Sequence, residues 1–508
     1  MTEQGKNDKM SGLNLGGNSM DYNCVKYMTL NKDWYYDKVY ACWLGKNIGG
    51  TIGAPYEGTK DMLDIKGFKT KPGEPLPNDD LDLQLLWMFI VERLGINKVN
   101  QNLLAEYWVD WIPPHWNEYG IARENLKSGL LPPLSGEIEN TRWQTSNGAW
   151  IRSEIWALLF PYCGDIAMKY ASMDAMVDHG ISEGTYAEIF TVAIQNAAIY
   201  NSDIMSIIEN ALTKIPTECL ISKAVRLVID EYGKGTDYRA VRNMLVDLTS
   251  ELGYFQAPAN IGYVIIGLLY GEGDFKKSII YAVNCGDDTD CTAATVGATL
   301  GILGGIAAIP QDWRDYIGDR IITISINGQE VYTLPKTCTE LTEQVIRNIP
   351  AVMSNFDVSL SFTDGKTEIE DGLIEKFNNK TADNIIKLTK YSYEILNFHP
   401  FTARIEYDKY PRISLCEARK VRIHFLNNCQ ETRRLNFRLI LPAGWTVGEY
   451  EKTLCIETKA NQENVAYTQF VDFDITAGEY VDSINNIYLE VSSATFAQPV
   501  IIPIILLG

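Results

Sequence analysis

The stretch NCGDDTDCTAATVGATLGILGG, residues 284–305, places Asp287, Asp288 and Asp290 directly ahead of a run of glycine, alanine and small apolar residues. Crowded carboxylates repel one another, so such a turn either stands open in water or holds a cation. Far upstream, PNDDLDLQ, residues 77–84, has the same character. Each acidic turn precedes a strongly apolar segment and is expected to open a buried helix. Asp79 and Asp80 would lie at one N-terminus, Asp288 and Asp290 at the other. A helix N-terminus favours a carboxylate by about 0.3–1 kcal/mol, but capping needs one acid rather than two or three. Oxygens converging from two helix starts suit a hard divalent cation, Mg2+ or Mn2+. Neither turn has the spacing of a calcium EF-hand.

Two distant helix starts can share an ion only if their helices pack together. Gly297, Gly301 and Gly305 recur at four-residue spacing, which strips one helix face of side chains and lets a neighbour approach. From about Asp33 to Pro350 the chain reads as helical, with apolar residues recurring at i, i+3 and i+4 in segments such as SKAVRLVIDEYGKG and DYRAVRNMLVDLTSEL. The predicted fold for residues 26–355 is an all-α orthogonal bundle. Residues 356–392, charged and bearing glycine and asparagine, read as a connector. Residues 393–508 hold seven short alternating or apolar runs between turn residues, among them RRLNFRLILP and NNIYLEVSS. That pattern predicts an antiparallel β-sandwich of immunoglobulin-like size. The first 25 residues, rich in glycine, asparagine and serine, read as a mobile tail.

Composition narrows the partners. With 46% apolar and 22% charged residues the chain is globular, and its 508 residues call for more than one domain. A net charge of −20 opposes a nucleic-acid backbone or an anionic membrane as the main partner. The apolar run Ala293–Pro310 is glycine-rich, short for a span and without flanking Lys or Arg at its entry, so a buried helix is expected there. The ten cysteines lack a CxxC pair and the start lacks a secretory apolar core, which together predict reduced thiols and a cytoplasmic protein. Between Trp108 and Trp150 lie five of the eleven tryptophans, interleaved with Pro, Gly and Asn. Their flat rings offer stacking surfaces for a sugar or an adenine, Trp116 foremost, or else pack as a compact loop core.

Four blocks in order resemble the ADP-ribosylglycohydrolase family over roughly residues 36–315. They are LGKNIGGTIGAPYEG, NDDLDLQ, NGAWIRSEIWALLFP with its downstream DHG, and GDDTDCTAATVGATLGILGG. The resemblance implies an all-α domain that hydrolyses the bond from ADP-ribose to an acceptor with two Mg2+ or Mn2+ ions. Carried over position by position, it implies Asn78, Asp79, Asp80, Asp288 and Asp290 as metal ligands and Glu57, Asp80 and Asp290 as catalytic acids. It further implies Asn147, Gly148, Arg152 and His179 along the substrate, to which the tryptophan-rich loop adds Trp116. Asn78 and Cys291 stand where the family has hydroxyl ligands, with Asp287 and Thr292 as nearby replacement oxygens. Arg142 and Lys46 join Arg152 as basic groups that could meet a phosphate. The expected substrate is small-molecule or protein-linked ADP-ribose. The alternatives are another glycoside, which the sandwich favours by resembling modules appended to carbohydrate-active enzymes, and a catalytically inactive nucleotide- or sugar-binding member.

Overall fold

The computed structural model describes residues 25–327, 334–386, 395–407, 411–458 and 469–508; the tail expected over residues 1–25 lies, but for its last residue, outside them. Helices dominate up to residue 353, as their apolar periodicity dictates. Two helices form the axis of this body. The opening helix, Lys32–Gly53, starts at Asn31, whose side chain accepts the N–H of Trp34, and ends in a Pro-bearing turn, Ala54–Tyr56. It packs along the helix Thr289–Gly304 through backbone rather than side chains. A Cβ on Gly45 would fall 2.2 Å from the carbonyl oxygen of Gly297, and one on Gly301 2.2 Å from that of Ala41. At its far end, a Cβ on Gly53 would meet the Thr289 carbonyl at 2.2 Å. Gly297 and Gly301 are therefore a backbone contact surface, and the apolar run is buried from Ala293 to Ile302. Among the described residues no helix is long and apolar enough to cross a membrane.

The helical body is closed by a small sheet that its sequence pattern did not announce. Strand β1 (Lys26–Asn31) pairs in parallel with β2 (Val358–Thr363) and antiparallel with β3 (Glu368–Ile369). Val358 and Leu360 point inward between exposed Ser359 and Ser361, an alternation too short to stand out. Two short helices follow, Leu373–Phe377 and Ala382–Ile386, and Leu373, Ala382 and Ile386 are buried in the same apolar cluster as the main bundle. The stretch 356–392 read as a connector thus belongs, as far as Ile386, to the first body.

Among the described residues nine further strands follow: β4 (Ile395–Asn397), β5 (Phe401–Tyr407), β6 (Ala418–Asn427), β7 (Arg433–Ile440), β8 (Thr446–Val447), β9 (Glu451–Ile456), β10 (Gln469–Thr476), β11 (Ile484–Ser492) and β12 (Val500–Leu507). They form two antiparallel sheets, in the orders β4-β5-β6-β10-β8 and β12-β11-β7-β9. Along β7, Leu435, Phe437 and Leu439 are buried while Asn436, Arg438 and Ile440 face out, the period-2 pattern of a half-buried strand. Leu130 and Leu134 of the helical body join the sandwich's apolar cluster. The segment they sit on is tied back into the bundle, since Asn125 Nδ2 donates to the carbonyls of Ser135 and Ile138 at 2.8 and 2.7 Å, and Ser135 Oγ to that of Val177 at 2.7 Å.

The helix-to-helix contact can be tested directly. Gly297→Ala sets a methyl against the Gly45 backbone, 2.2 Å from its oxygen, and is expected to lower the unfolding free energy by about 1–3 kcal/mol in urea denaturation. Gly67→Ala, where nothing lies within 4 Å of the added carbon, should stay within about 0.5 kcal/mol.

Candidate metal centre and substrate cavity

The opening helix brings the two acidic turns to one place, since Gly50 lies against Asn78 at the start of the helix Asp79–Leu94 and Gly53 against Thr289 at the start of the helix Thr289–Gly304. The helix Asp79–Leu94 begins at Asn78, whose extended backbone and Oδ1, accepting the N–H of Asp80 at 3.0 Å, make it the cap. Asp288 is the cap residue of the helix Thr289–Gly304 but accepts no capping hydrogen bond from it. Its carboxylate is left for the cavity, where Asn147 Nδ2 holds Oδ2 at 2.6 Å. Ligand oxygens of Glu57, Asp288 and Asp290 lie within 4.8 Å of one another. The same holds for Asp80, Asp290 and Cys291, so two clusters share Asp290.

Several of these oxygens lack hydrogen-bond partners. Oδ1 of Asp288 and Oδ1 of Asp290 are buried with no hydrogen bond, and Asp80 Oδ2 has only the Lys46 ammonium, 3.4 Å away. Burial, then the charge of Asp288, pushes Asp79 up to about 6. Burial, with Asp79 and Asp288 outweighed in part by Lys46, pushes Asp80 up to about 8. Enclosure at the cavity mouth, then Asp288 and Asp79, push Glu57 up to about 7. Burial followed by Asp288, Glu57 and Asp80 drives Asp290 well above its ordinary range. Buried carboxylate oxygens without partners cost free energy that a bound cation would offset. The donor set therefore fits divalent ions, with carboxylates predominating.

The clusters sit at a cavity of about 560 Å3, lined by Glu57, Asp79, Asp288 and Asp290 on one part and by Trp116, Glu118, Asn147 and Gly148 on another. That volume falls within the roughly 300–1,000 Å3 of small-molecule pockets. The loop carrying Glu57 is fastened to the acidic turn, because Gly58 N–H donates to the Asp287 carbonyl and Asp287 N–H to that of Thr59, both at 2.8 Å. Asp287 holds a left-handed backbone, φ 65°, and its carboxylate accepts from Phe255 N–H at 3.0 Å and Asn260 Nδ2 at 3.3 Å. Thr292 Oγ1 donates to the Thr289 carbonyl at 3.3 Å. Asp287 belongs to neither cluster and braces the turn, and Thr292 directs its hydroxyl proton to its own helix.

Other candidates occupy different places. Asn78 is buried as a cap against Gly50, where a Cβ would fall 2.1 Å from Nδ2, and it does not line the cavity. Arg152 is fully buried and spends all five N–H groups on the protein. Nε meets Asp174 at 2.9 Å, the two terminal nitrogens meet Asp178 at 3.0 and 2.8 Å, and the rest go to the carbonyls of Gly148 and Asp174. The expectation that it contacts substrate gives way to a positioning place behind Gly148. Lys46, caught between Glu154 at 3.0 Å and Asp80, is likewise spent inside. His179 is buried behind the wall, with Nε2 3.2 Å from Ser146 Oγ and Nδ1 2.9 Å from Asp178. Of the five tryptophans, Trp108 and Trp150 are core, and Trp116, 45% exposed, lines the cavity and stacks on Tyr119 at 6.5 Å.

One lining acid escaped the sequence reading. Glu118 follows Trp116 in WNEYG, accepts the Gly148 N–H on Oε1 at 3.1 Å, and leaves Oε2 without a partner. Burial, then Asp178, with His179 acting the other way, push it up to about 7. Only its place beside the interleaved aromatics could have drawn attention to it.

Comparison with known proteins identifies the family. The sequence model of ADP-ribosylglycohydrolase matches residues 31–347. The chain belongs to the ADP-ribosylglycohydrolase family, a family of hydrolases, and the site lies inside the matched region. A protein of Archaeoglobus fulgidus without an assigned function is 24% identical over 306 residues, 56% of this chain and 92% of its own. ADP-ribosylarginine hydrolase Tri1 of Serratia proteamaculans is 23% identical over 322 residues, 59% of this chain and 80% of its own. A solved ADP-ribosylglycohydrolase-related protein complex has a chain that aligns with a TM-score of 0.44 at 17% identity, covering 62% of this chain and 99% of that one.

The crowding has a thermodynamic signature. Asp79, Asp80 and Glu57 hold their protons more tightly folded than unfolded. Their contribution therefore makes the cation-free protein lose stability as pH rises through the window from about 4 to about 8. The melting temperature without divalent ions should fall between about pH 5 and pH 8, and Mn2+ should restore it at the upper end while releasing protons, seen by calorimetry in two buffers.

Proposed function

We propose that the protein is a metal-dependent hydrolase that cleaves the glycosidic bond between ADP-ribose and a protein or small-molecule acceptor. The observation that carries this reading is the pair of ligand clusters, one of three carboxylates and one of two carboxylates with the Cys291 sulfur, sharing Asp290 at the side of a cavity of small-molecule size. The name of the Serratia relative supports arginine as one acceptor class. Divalent ions held by Asp80, Asp288, Asp290 and Glu57 would lower the pKa of a water and grip vicinal sugar hydroxyls.

The chain's own residues supply the rest. Glu57, at the mouth, takes a proton from the attacking water. Glu118, near half-protonated at neutral pH with a free Oε2, donates to the departing acceptor, as hydrolysis through an oxocarbenium-like state requires. Asn147 orients Asp288, its own Oδ1 being fixed by Trp150 Nε1 at 3.1 Å. Gly148 leaves room beside Glu118, since a Cβ there would fall 2.3 Å from Oε1. Arg152 holds the Gly148 carbonyl from behind and keeps the loop in register. Trp116 presents a flat face for the adenine.

Release of ADP-ribose from ADP-ribosylated arginine and from ADP-ribose esters, set against a panel of aryl glycosides, tests the reading. The expected result is cation-dependent turnover of the first group, lowered at least about 10³-fold by Asp290→Asn. Turnover of aryl glycosides alone would replace the substrate, and cation binding without any turnover would leave a binding protein. For Glu118→Gln, kcat should fall about 10²-fold or more, and the alkaline fall in activity above about pH 7 should disappear, because the proton donor that titrates there is gone.

A further inference from the structure

We propose that the inner cluster, Asp80, Asp290 and Cys291, is a mixed oxygen and sulfur site at which Cys291 coordinates as a thiolate, so that it takes a borderline divalent ion such as Co2+ or Zn2+ in preference to the hard ions Mg2+ and Mn2+. This rests on the metal reading above and gives the site its selectivity. One ligand atom from each residue lies within 4.8 Å of the other two, the separation expected of ligands placed about 2.0–2.3 Å from a common ion. All three are deeply buried, with exposures of 0%, 7% and 5%. Cys291 Sγ is 3.2 Å from Asp80 Oδ1, and it lines the cavity, so an ion and its displaced proton have a path to solvent.

Two independent observations aim at a ligand here. Asp290 Oδ1 is buried without a partner, and Asp80 Oδ2 meets nothing but Lys46. With the Lys46 ammonium beside them, two carboxylates and a thiolate carry a net charge of minus two, which one divalent ion neutralises. Binding breaks the S–H bond and forms a sulfur–metal bond; the proton leaves to bulk water and no electron is transferred. Mg2+ is hard and keeps oxygen ligands and waters, whereas thiolates favour softer ions. The outer cluster, Glu57, Asp288 and Asp290, has oxygen alone and carries no such preference.

Cobalt substitution separates these possibilities. Metal-free protein titrated with Co2+ should develop a sulfur-to-cobalt charge-transfer band in the near ultraviolet, absent in Cys291→Ser and Cys291→Thr. Calorimetric competition should find Co2+ or Zn2+ bound at least about 10-fold more tightly than Mg2+ at one site, with Cys291→Thr narrowing that ratio. Co2+ binding to the wild-type protein without the band would overturn the proposal while leaving the hydrolase reading standing. Failure to bind any of these ions would overturn both.

Discussion

Carboxylates held within a few ångströms of one another inside a protein repel, and here the helices that hold them cannot relieve the repulsion by moving apart. Gly45 and Gly53 of the opening helix lie directly on the backbone of the helix Thr289–Gly304, and Gly50 lies against Asn78, the cap of the helix Asp79–Leu94. The start of that helix is pinned again by the Thr59–Asp287 bridge. Rigid placement is what converts an electrostatic cost into affinity for a cation. Flexible acids would turn toward solvent; these have no such freedom, and several of their oxygens have no partner. Close backbone packing, the charge cluster and the cavity are one construction.

Behind the cavity wall runs a second layer of polar contacts that fixes the first. Arg152 joins Asp174, Asp178 and the Gly148 carbonyl, and stacks over Trp108 at 5.0 Å. Asp178, pulled down to about 2 by Arg152 and His179 against the cost of burial, stays ionised. Losing Arg152 would leave two acids buried without their counter-charge. The β-sandwich reaches the same wall from outside. Leu130 and Leu134, which it buries, lie just after the helix Asn117–Lys127 that begins beside Glu118, and Gly136 lies against the backbone of His179 and Gly180.

Much of this was legible in the sequence because its signals are local. Two acidic turns before apolar helices, and glycines at four-residue spacing, each state a physical requirement that only tertiary contact can satisfy. Alternation along RRLNFRLILP likewise fixed which residues of β7 face the sandwich core. What escaped depends on long-range pairing. Strand β1 finds its partner more than three hundred residues later, and neither VSLSFT nor KYMTLN is long enough to declare itself. Arg152 and Lys46 looked available for a phosphate because sequence shows charge but not the acids that will absorb it. Glu118 looked like any surface glutamate until Gly148 folded against it.

The central claim is that side chains from the helix starts at Asp79 and Thr289 share cations. Anomalous scattering from crystals grown with Mn2+ measures this at the atoms concerned. Peaks flanking the Asp290 carboxylate, one toward Asp80 and one toward Glu57 and Asp288, are the predicted result. Mn2+ bound only elsewhere on the protein, with these carboxylates free of ions at saturating concentration, would contradict the account.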